Sequence, residues 1–392
     1  MVNFMDITFL GTGSAQPSAT RNHQAMALRL NGDIWMFDCG EATQHQLQKS
    51  KLKMGRITRI FITHMHGDHC FGLAPLLCSM TENLNSGLPR ANDPPIEIYG
   101  PRPLRHWLRT SLKSTYSHLG RPYRVHELLL DSDTPDTSTD YHDSELPGEN
   151  LRLVRDTKNP NKTPHYVMNC TEGDVAYTVV GVPIKHSIPS LGFLVQEPEF
   201  PGQLDIKTLT PILQRNSEAL KAQGYKNPLA ILGQLQRTLK PVTLPDGAIL
   251  MPPVARPGRQ IIILGDTSDA SPIISLCQNK PHLLVHEATN ALTSLDVIGL
   301  KPGTEPPTHE EVEEKALSHG HSTPQMAGKL AQQMGAKKMI LTHFSVRYKG
   351  DESPESLEVM EEIRSLAIKE FGGKDNDVYC ARDLWSFEIK YD

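Results

Sequence analysis

The run His64-Met65-His66-Gly67-Asp68-His69 places four metal-binding side chains in six residues, directly behind the apolar stretch Arg59-Ile60-Phe61-Ile62-Thr63. On a helix, residues i and i+2 diverge; on a loop leaving a strand, alternate side chains can converge. Imidazole nitrogens and carboxylate oxygens suit zinc, at about 2.0–2.2 Å. Cys70 has no cysteine beside it in the sequence and reads as a packed bystander. Four later apolar runs also end on a polar residue able to do chemistry: 182–185 before His186, 261–265 before Asp266, 283–286 before Glu287 and 339–342 before His343. His64, His66, Asp68, His69, His186, Asp266 and His343 are too many donors for one tetrahedral ion. They are about right for two ions roughly 3.5–4 Å apart that share a bridging carboxylate and clamp a phosphate oxygen. Two Zn²⁺ with Asp68 and Asp266 leave a charge of about +2, which favours an anionic substrate.

Attack on a phosphodiester also needs a proton for the leaving oxygen. His321 can supply it if Glu287 raises its pKa. Thr323-Pro324 reads as the N-cap and first residue of a helix through Met334, which puts His321 beside a helix N-terminus. That end favours anions and lowers an imidazole pKa, so Glu287 must oppose it. Two readings stand for each residue: His321 donates a proton or only fixes the turn, and Glu287 is catalytic or orients its neighbours. Asp38 reads as a hydrogen-bond acceptor bracing the His64 loop. Phe9-Leu10-Gly11-Thr12-Gly13-Ser14 lacks the Gly-Lys-Ser/Thr of a phosphate loop and reads as a tight turn. His282, His309 and His319 read as surface or packing residues, and His286 as packed beneath the site.

These residues need a scaffold, and the sequence implies an α/β one. Strands are expected at 5–10, at 24–30 and 34–38 around the hairpin signal Asn31-Gly32-Asp33, before each polar residue named above, and once more at 378–390. Helices are expected at 42–53, 324–334 and 354–371. Side chains at strand ends gather on one side of such a sheet. Residues 131–165 are polar and read as a long loop or partly disordered insertion. Residues 198–258 read as a partly helical excursion from the core. Between Phe200 and Gln260 eight basic residues face three acidic ones, about +5. That excess is either a solvated surface or a patch for a polyanion. The whole chain has net charge −5, no apolar run near the ~20 residues of a membrane span, no signal peptide and six cysteines without paired spacing. An intracellular protein, in cytosol or nucleus, is expected.

The H-x-H-x-D-H loop resembles that of the metallo-β-lactamase superfamily. Its ribonuclease Z branch, in the short form, is indicated by FLGTGSAQPSATRN (9–22), FDCGEATQ (37–44), FITHMHGDHCFGL (61–73), IKHSIPSLGF (184–193), FPGQLD (200–205), ILGDT (263–267), VHEAT (285–289), HGHSTPQMA (319–327) and LTHFSVRY (341–348). The resemblance implies a four-layer αβ/βα sandwich over 1–392 with a tRNA-binding arm inserted at 198–258. It implies two Zn²⁺ per subunit, one on His64, His66 and His186, the other on Asp68, His69 and His343, with Asp266 bridging. Asp68 would also act on the proton of the attacking water, and Glu287 and His321 would pair beside the scissile phosphate. A homodimer that cleaves precursor tRNA after the discriminator base and leaves a 3′-hydroxyl is implied. Arg21, Ser322, Thr323, Lys207, Lys221 and Lys226 are expected to touch that RNA. Two departures stand out. Gln214–Leu239 has few glycines and prolines, so the arm's tip is rebuilt. Ala19 stands where many bacterial relatives carry lysine, so discrimination against CCA-bearing ends is not implied. The alternatives are a small-molecule di-zinc hydrolase of the same fold and a binding protein with a decayed site. Cleavage assays on precursor tRNA and on a small phosphodiester separate all three.

Overall fold

The computed structural model describes residues 4–391 other than 82–93, 161, 201, 203, 278, 299, 301 and 302. Of the stretch 200–205, residues 201 and 203 therefore lie outside the described residues. Two compact units emerge: 1–196 with 260–392, and Glu197–Arg259.

The first unit holds two sheets. One is nine-stranded and runs Ser386–Glu388, Met5–Gly11, Ala25–Leu30, Asp33–Phe37, Ile57–Phe61, Ile96–Pro101 and Tyr123–Leu129, with Glu145–Leu146 and Asn150–Arg152 both on the last. The other is seven-stranded, in the order Val378–Cys380, Met339–Thr342, Leu283–Glu287, Gln260–Leu264, Ser190–Gln196, Val175–Ile184 and Tyr166–Glu172. Strand side chains alternate between faces, and here both faces are apolar because both are covered. Trp35, Phe37, Ile261 and Ile263 point into a core between the sheets, while Ile34 and Met36 or Ile262 and Leu264 point outward. Phe61 and Phe193, from opposite sheets, have ring centroids 5.3 Å apart. Helices Thr43–Lys49, Leu73–Thr81 and Leu104–Ser114 cover the first sheet, and Pro324–Met334 and Pro354–Phe371 the second. The layers are helix, sheet, sheet, helix, as the sequence implied.

Two expectations are corrected and a third is refined. The helix expected at 42–53 ends at Lys49, where Ser50 turns to extended backbone and its hydroxyl donates back to Leu47 O at 2.8 Å. The expected strand 378–390 is two strands in different sheets, because Asp383 accepts from the Thr12 hydroxyl at 2.8 Å and from Asn22 N–H at 2.7 Å and redirects the chain. Residues 131–165 are mostly loop, as expected, and add two short edge strands. They are tied down by charge: Arg109 grips Glu145 through two bonds of 2.8 and 2.7 Å, and Arg105 donates to Asn150 at 2.9 Å. Such anchors are polar, so composition alone hides them.

The second unit has its own small core of Leu213, Leu220, Ile231, Leu235, Leu244 and Leu250. It is built from helices Ile206–Arg215, Ser217–Ala222 and Ala230–Thr238 and a short hairpin of Val242–Thr243 with Ile249–Leu250. Asp205 caps the first helix by accepting from Thr208 N–H at 3.2 Å. Where the unit begins and ends, buried Glu197 and Arg259 pair through bonds of 2.9 and 2.8 Å. The eight basic residues include this buried Arg259, and the unit also contains Glu197 and Glu199. Eight bases less five acids (197, 199, 205, 218, 246) leave +3 for 197–259 rather than the +5 of the narrower window.

Candidate metal centre

The strand ends bring the seven predicted donors to one place. His64, His66, His186 and Asp266 each offer an atom within 4.8 Å of the others, as do Asp68, His69 and His343. His64 Nε2 lies 3.1 Å from His66 Nδ1, which lies 3.3 Å from His186 Nε2. His69 Nε2 lies 3.2 Å from His343 Nε2. Ligands about 2.0–2.1 Å from a tetrahedral zinc are about 3.3 Å from one another, so these spacings fit a cation at the centre of each set. Asp266 faces both sets. Its Oδ2 is 3.7 Å from His64 Nε2 and 3.3 Å from His343 Nε2, and its Oδ1 is 3.4 Å from His69 Nε2.

Four of the five histidines, His64, His69, His186 and His343, are held from behind. A hydrogen bond at one ring nitrogen fixes the tautomer and frees the other for a metal. Asp38 is this device for the first loop, as expected, and it does more: it accepts from Thr63 N–H at 2.7 Å, from the Thr63 hydroxyl at 2.9 Å and from His69 Nδ1 at 2.7 Å. The Thr63 hydroxyl also sits 3.0 Å from His64 Nδ1. Three further supports were not found by sequence reasoning. Gly320 O accepts from His186 Nδ1 at 2.8 Å. The Thr289 hydroxyl meets His343 Nδ1 at 3.0 Å. Ala15 N–H donates to Asp68 Oδ2 at 2.8 Å. Gly320 has φ 81°, and a Cβ there would stand 2.7 Å from His186 Nδ1, so only glycine fits. The one sequence signal was its place in His319-Gly320-His321.

Charge prepares the site for a cation. Burial holds His64 well below the ordinary imidazole value, helped by the charge of His69, and His66 is lowered by burial and His186. Burial opposes ionisation of Asp68 and Asp266. The His343 hydrogen bond and His69 overcome it for Asp68, and the charges of His343 and His69 for Asp266, so both lie well below the usual carboxylate range. His69 is the exception: against burial, Asp266 and Asp38 raise it well above 6.5. It holds a proton that a metal must displace.

Glu287 and His321 do pair, with His321 Nδ1 3.1 and 3.2 Å from the two carboxylate oxygens. Burial lowers the His321 pKa, but the hydrogen bond and charge of Glu287 outweigh it and raise the value to about 9. Nδ1 is thereby occupied, although it also lies 3.8 Å from Asp266 Oδ2. Nε2 is the nitrogen left to meet a substrate. Glu287, expected as catalytic, is buried and accepts from Thr267 N–H at 2.7 Å, from Ser322 N–H at 3.1 Å, from the Thr289 hydroxyl and from His321. It is a positioning residue because no oxygen faces outward.

Three expected RNA contacts are corrected. Arg21 is buried, and its guanidinium donates to Tyr348 O, the Thr12 hydroxyl and Ala381 O at 2.7, 2.7 and 3.1 Å. Ser322 is buried with its hydroxyl on Thr267 O at 2.6 Å. Thr323 is the buried N-cap of the next helix, accepting from Met326 N–H. All three have their polar atoms committed to the fold. Lys207, Lys221 and Lys226 are exposed on the second unit. His286 is buried with Nδ1 on Glu287 O at 2.7 Å, packing under the site as expected.

A two-sheet sandwich carrying this His/Asp cluster at its strand ends defines a metallohydrolase of the metallo-β-lactamase fold. Comparison with known proteins narrows the class. The chain is 40% identical over 365 residues to Zinc phosphodiesterase ELAC protein 1 of Bos taurus, covering 88% of this chain and 87% of that protein. It is 34% identical over 394 residues to Ribonuclease Z of Prochlorococcus marinus (strain AS9601), covering 98% and 100%. The solved structure of human tRNase Z, short form, matches with TM-score 0.59 and 32% identity over 99% of this chain and 100% of that one. A family described as Anti-Pycsar protein Apyc1 matches residues 5–178, less than half of the chain. The protein belongs to the ribonuclease Z family.

Proposed function

We propose that the protein is a zinc-dependent endoribonuclease that removes 3′ trailers from precursor tRNA, with two zinc ions per subunit. Zinc use and phosphodiester hydrolysis follow from the family; the ion count rests on the two donor sets sharing Asp266. The observation that carries the reading is the Glu287–His321 pair beside seven converging donors. A hydrolase acting on activated small esters has little need of a proton donor, whereas a ribose 3′-oxygen leaves poorly without one.

When bound, zinc supplies Lewis acidity, lowering the pKa of water and drawing charge from the phosphate oxygens. Asp68, fixed through Oδ2 by Ala15 N–H, has Oδ1 left to orient the attacking water and take part in its deprotonation. His321 donates its Nε2 proton to the departing 3′-oxygen as the P–O3′ bond breaks. Water's oxygen then stays on the trailer's 5′-phosphate, and the tRNA ends in a 3′-hydroxyl. Glu287 holds the imidazole protonated and in place. The exposed Lys207, Lys221 and Lys226 meet tRNA phosphates on the arm, an attraction that salt weakens. The reading includes a homodimer, for which a mass of about twice 43.6 kDa by light scattering is expected and a monomer would contradict it.

The test is to incubate the protein with a precursor tRNA and with a small chromogenic phosphodiester, and to sequence both product ends. Cutting after the discriminator base to leave a 3′-hydroxyl and a 5′-phosphate is expected. Hydrolysis of the small ester alone would refute the RNA reading.

A further inference from the structure

The metal loop carries an exposed aromatic ring. Phe71 follows the helical turn Gly67–Cys70, with its N–H donating to Gly67 O at 2.9 Å, and is 58% exposed. Its ring lies against Gly67: a Cβ there would stand 2.2, 2.5 and 2.6 Å from Phe71 Cε2, Cζ and Cδ2. Gly67 separates His66 from Asp68, one donor from each set. Consecutive Cα atoms are about 3.8 Å apart, so the ring touches the loop one residue from a donor of either set. Trp107, half-buried, stands beside it, with ring centroids 6.4 Å apart and planes 23° apart. Trp107 is one turn into the helix Leu104–Ser114, its N–H donating to Pro103 O at 3.0 Å. That helix follows the strand Ile96–Pro101, which runs parallel to Ile57–Phe61, the strand that feeds the metal loop. Both rings therefore stand at the carboxyl ends of neighbouring parallel strands, the side of the sheet where the donors gather.

Single exposed apolar residues are common and signify nothing by themselves. Phe71 is set apart by its contact with the metal loop, by the glycine that clears room for it and by the second, near-parallel ring. A phenyl group has no hydrogen-bonding atom, so what it offers a ligand is a face. RNA cut at this centre has unpaired bases on each side of the scissile phosphate, the discriminator and the first trailer nucleotides. Unpaired bases are held by stacking on aromatic side chains, which every base can do. We propose that Phe71, steadied by Trp107, is a substrate-positioning residue on which one unpaired base beside the scissile phosphate stacks. The inference rests on the endoribonuclease reading. The stack fixes the register of the strand on the metal centre without reading its sequence.

Single-turnover cleavage of precursor tRNAs tests it, with an abasic site placed in turn at the discriminator and at the first two trailer positions. Phe71→Ala is expected to slow cleavage of the intact precursor roughly 5- to 100-fold, and Phe71→Tyr, which keeps an aromatic face, to retain most of the rate. One abasic precursor should be slow with the wild type and lose little more with Phe71→Ala, because the two changes remove the same contact. A ring that only braces the metal loop would instead slow every precursor alike, and that result overturns the stack. So does Phe71→Ala cleaving the intact precursor within about twofold of the wild type. Zinc per chain and thermal unfolding check each variant; if Phe71→Ala loses zinc, Phe71→Leu, which keeps an apolar side chain on Gly67 without an aromatic face, decides. Light scattering tests the other occupant: a Phe71→Ala protein of half the wild-type mass makes the ring a contact between protomers and overturns the proposal. A wild type that cleaves no precursor refutes the underlying reading and the stack with it. A wild type that cleaves them no faster than its Phe71 variants refutes the stack alone.

Discussion

Replacing Asp38 by asparagine should separate a histidine's orientation from its charge. Asp38 is buried and accepts three hydrogen bonds of 2.7–2.9 Å, two from Thr63 and one from His69 Nδ1. It sits at φ 59°, a left-handed conformation that asparagine adopts at less cost than alanine. The substituted amide can still accept from Thr63 N–H through its oxygen, so the loop keeps one anchor. Its NH₂ group, however, faces His69 Nδ1 and must donate. His69 then carries its proton on Nε2, the atom that faces His343 and Asp266. Supporting groups of this kind are worth roughly 10- to 100-fold in metal affinity, or about 1.4–2.7 kcal/mol. Losing the charge-assisted bond should also destabilise the metal-free protein by about 1.5–3 kcal/mol. Asp38→Ala leaves two Thr63 donors without an acceptor and adds backbone strain, so its loss in stability should be larger, about 3–5 kcal/mol. Zinc affinity is measured by competition with a chromophoric chelator, and stability by urea unfolding of the chelated protein. Asp38→Asn with zinc affinity within twofold of wild type, in a folded protein, would refute the tautomer argument.

Five other outcomes are expected. Glu287→Gln removes the partner that raises His321 to about 9. The protonated form is the donor, so single-turnover cleavage falls as pH rises through that pKa. The variant should move this limb to lower pH. An unmoved limb contradicts the donor role. Below the raised pKa of His69 a proton competes with metal, so apparent zinc affinity should climb about tenfold per pH unit before flattening. In the chelated protein the same group stabilises fully below 6.5 and is lost as pH rises through the raised value. The depressed Asp68 and Asp266 stabilise above 3.8 and are lost as pH falls, so urea unfolding should find these groups most stabilising between 3.8 and 6.5. Gly320→Ala puts a Cβ 2.7 Å from His186 Nδ1 at φ 81° and should cost about 1–3 kcal/mol and one zinc equivalent, read by unfolding and elemental analysis. Changing Lys207, Lys221 and Lys226 together to alanine should reduce the slope of log affinity for tRNA against log salt by about 2–3; an unchanged slope removes the arm lysines from the interface.

The converging donors were legible because residue type and local pattern both declare them. A histidine or aspartate that ends an apolar strand cannot be core, and five strand ends of this kind point to one place. The supports were not legible. Gly320 acts through its carbonyl, Ala15 through its N–H and Thr289 through a hydroxyl among many, and none of these roles depends on a distinctive side chain. Arg21, Ser322 and Thr323 failed for the converse reason: their types suit RNA, but burial had already committed their polar atoms to Tyr348, Thr267 and Met326. The two short strands within the loop 131–165 were missed because an edge held by Arg109 and Arg105 has the composition of a loop.

The sequence by itself determined the donor chemistry, the alternation of strand and helix, the excursion between two site strands and the resemblance to the ribonuclease Z family. These depend on residue identity and short-range periodicity, which a linear string carries. Only the tertiary structure decided which donors face each other, that Asp266 spans both sets, that Glu287 is enclosed and that His321 has only Nε2 left for a substrate. Those facts follow from strand order and register. Packing two sheets face to face brings His64, His186, Asp266 and His343 within a few ångströms of one another although they are far apart along the chain. Local patterning cannot specify that convergence, because the energy that sets it comes from the buried core between the sheets.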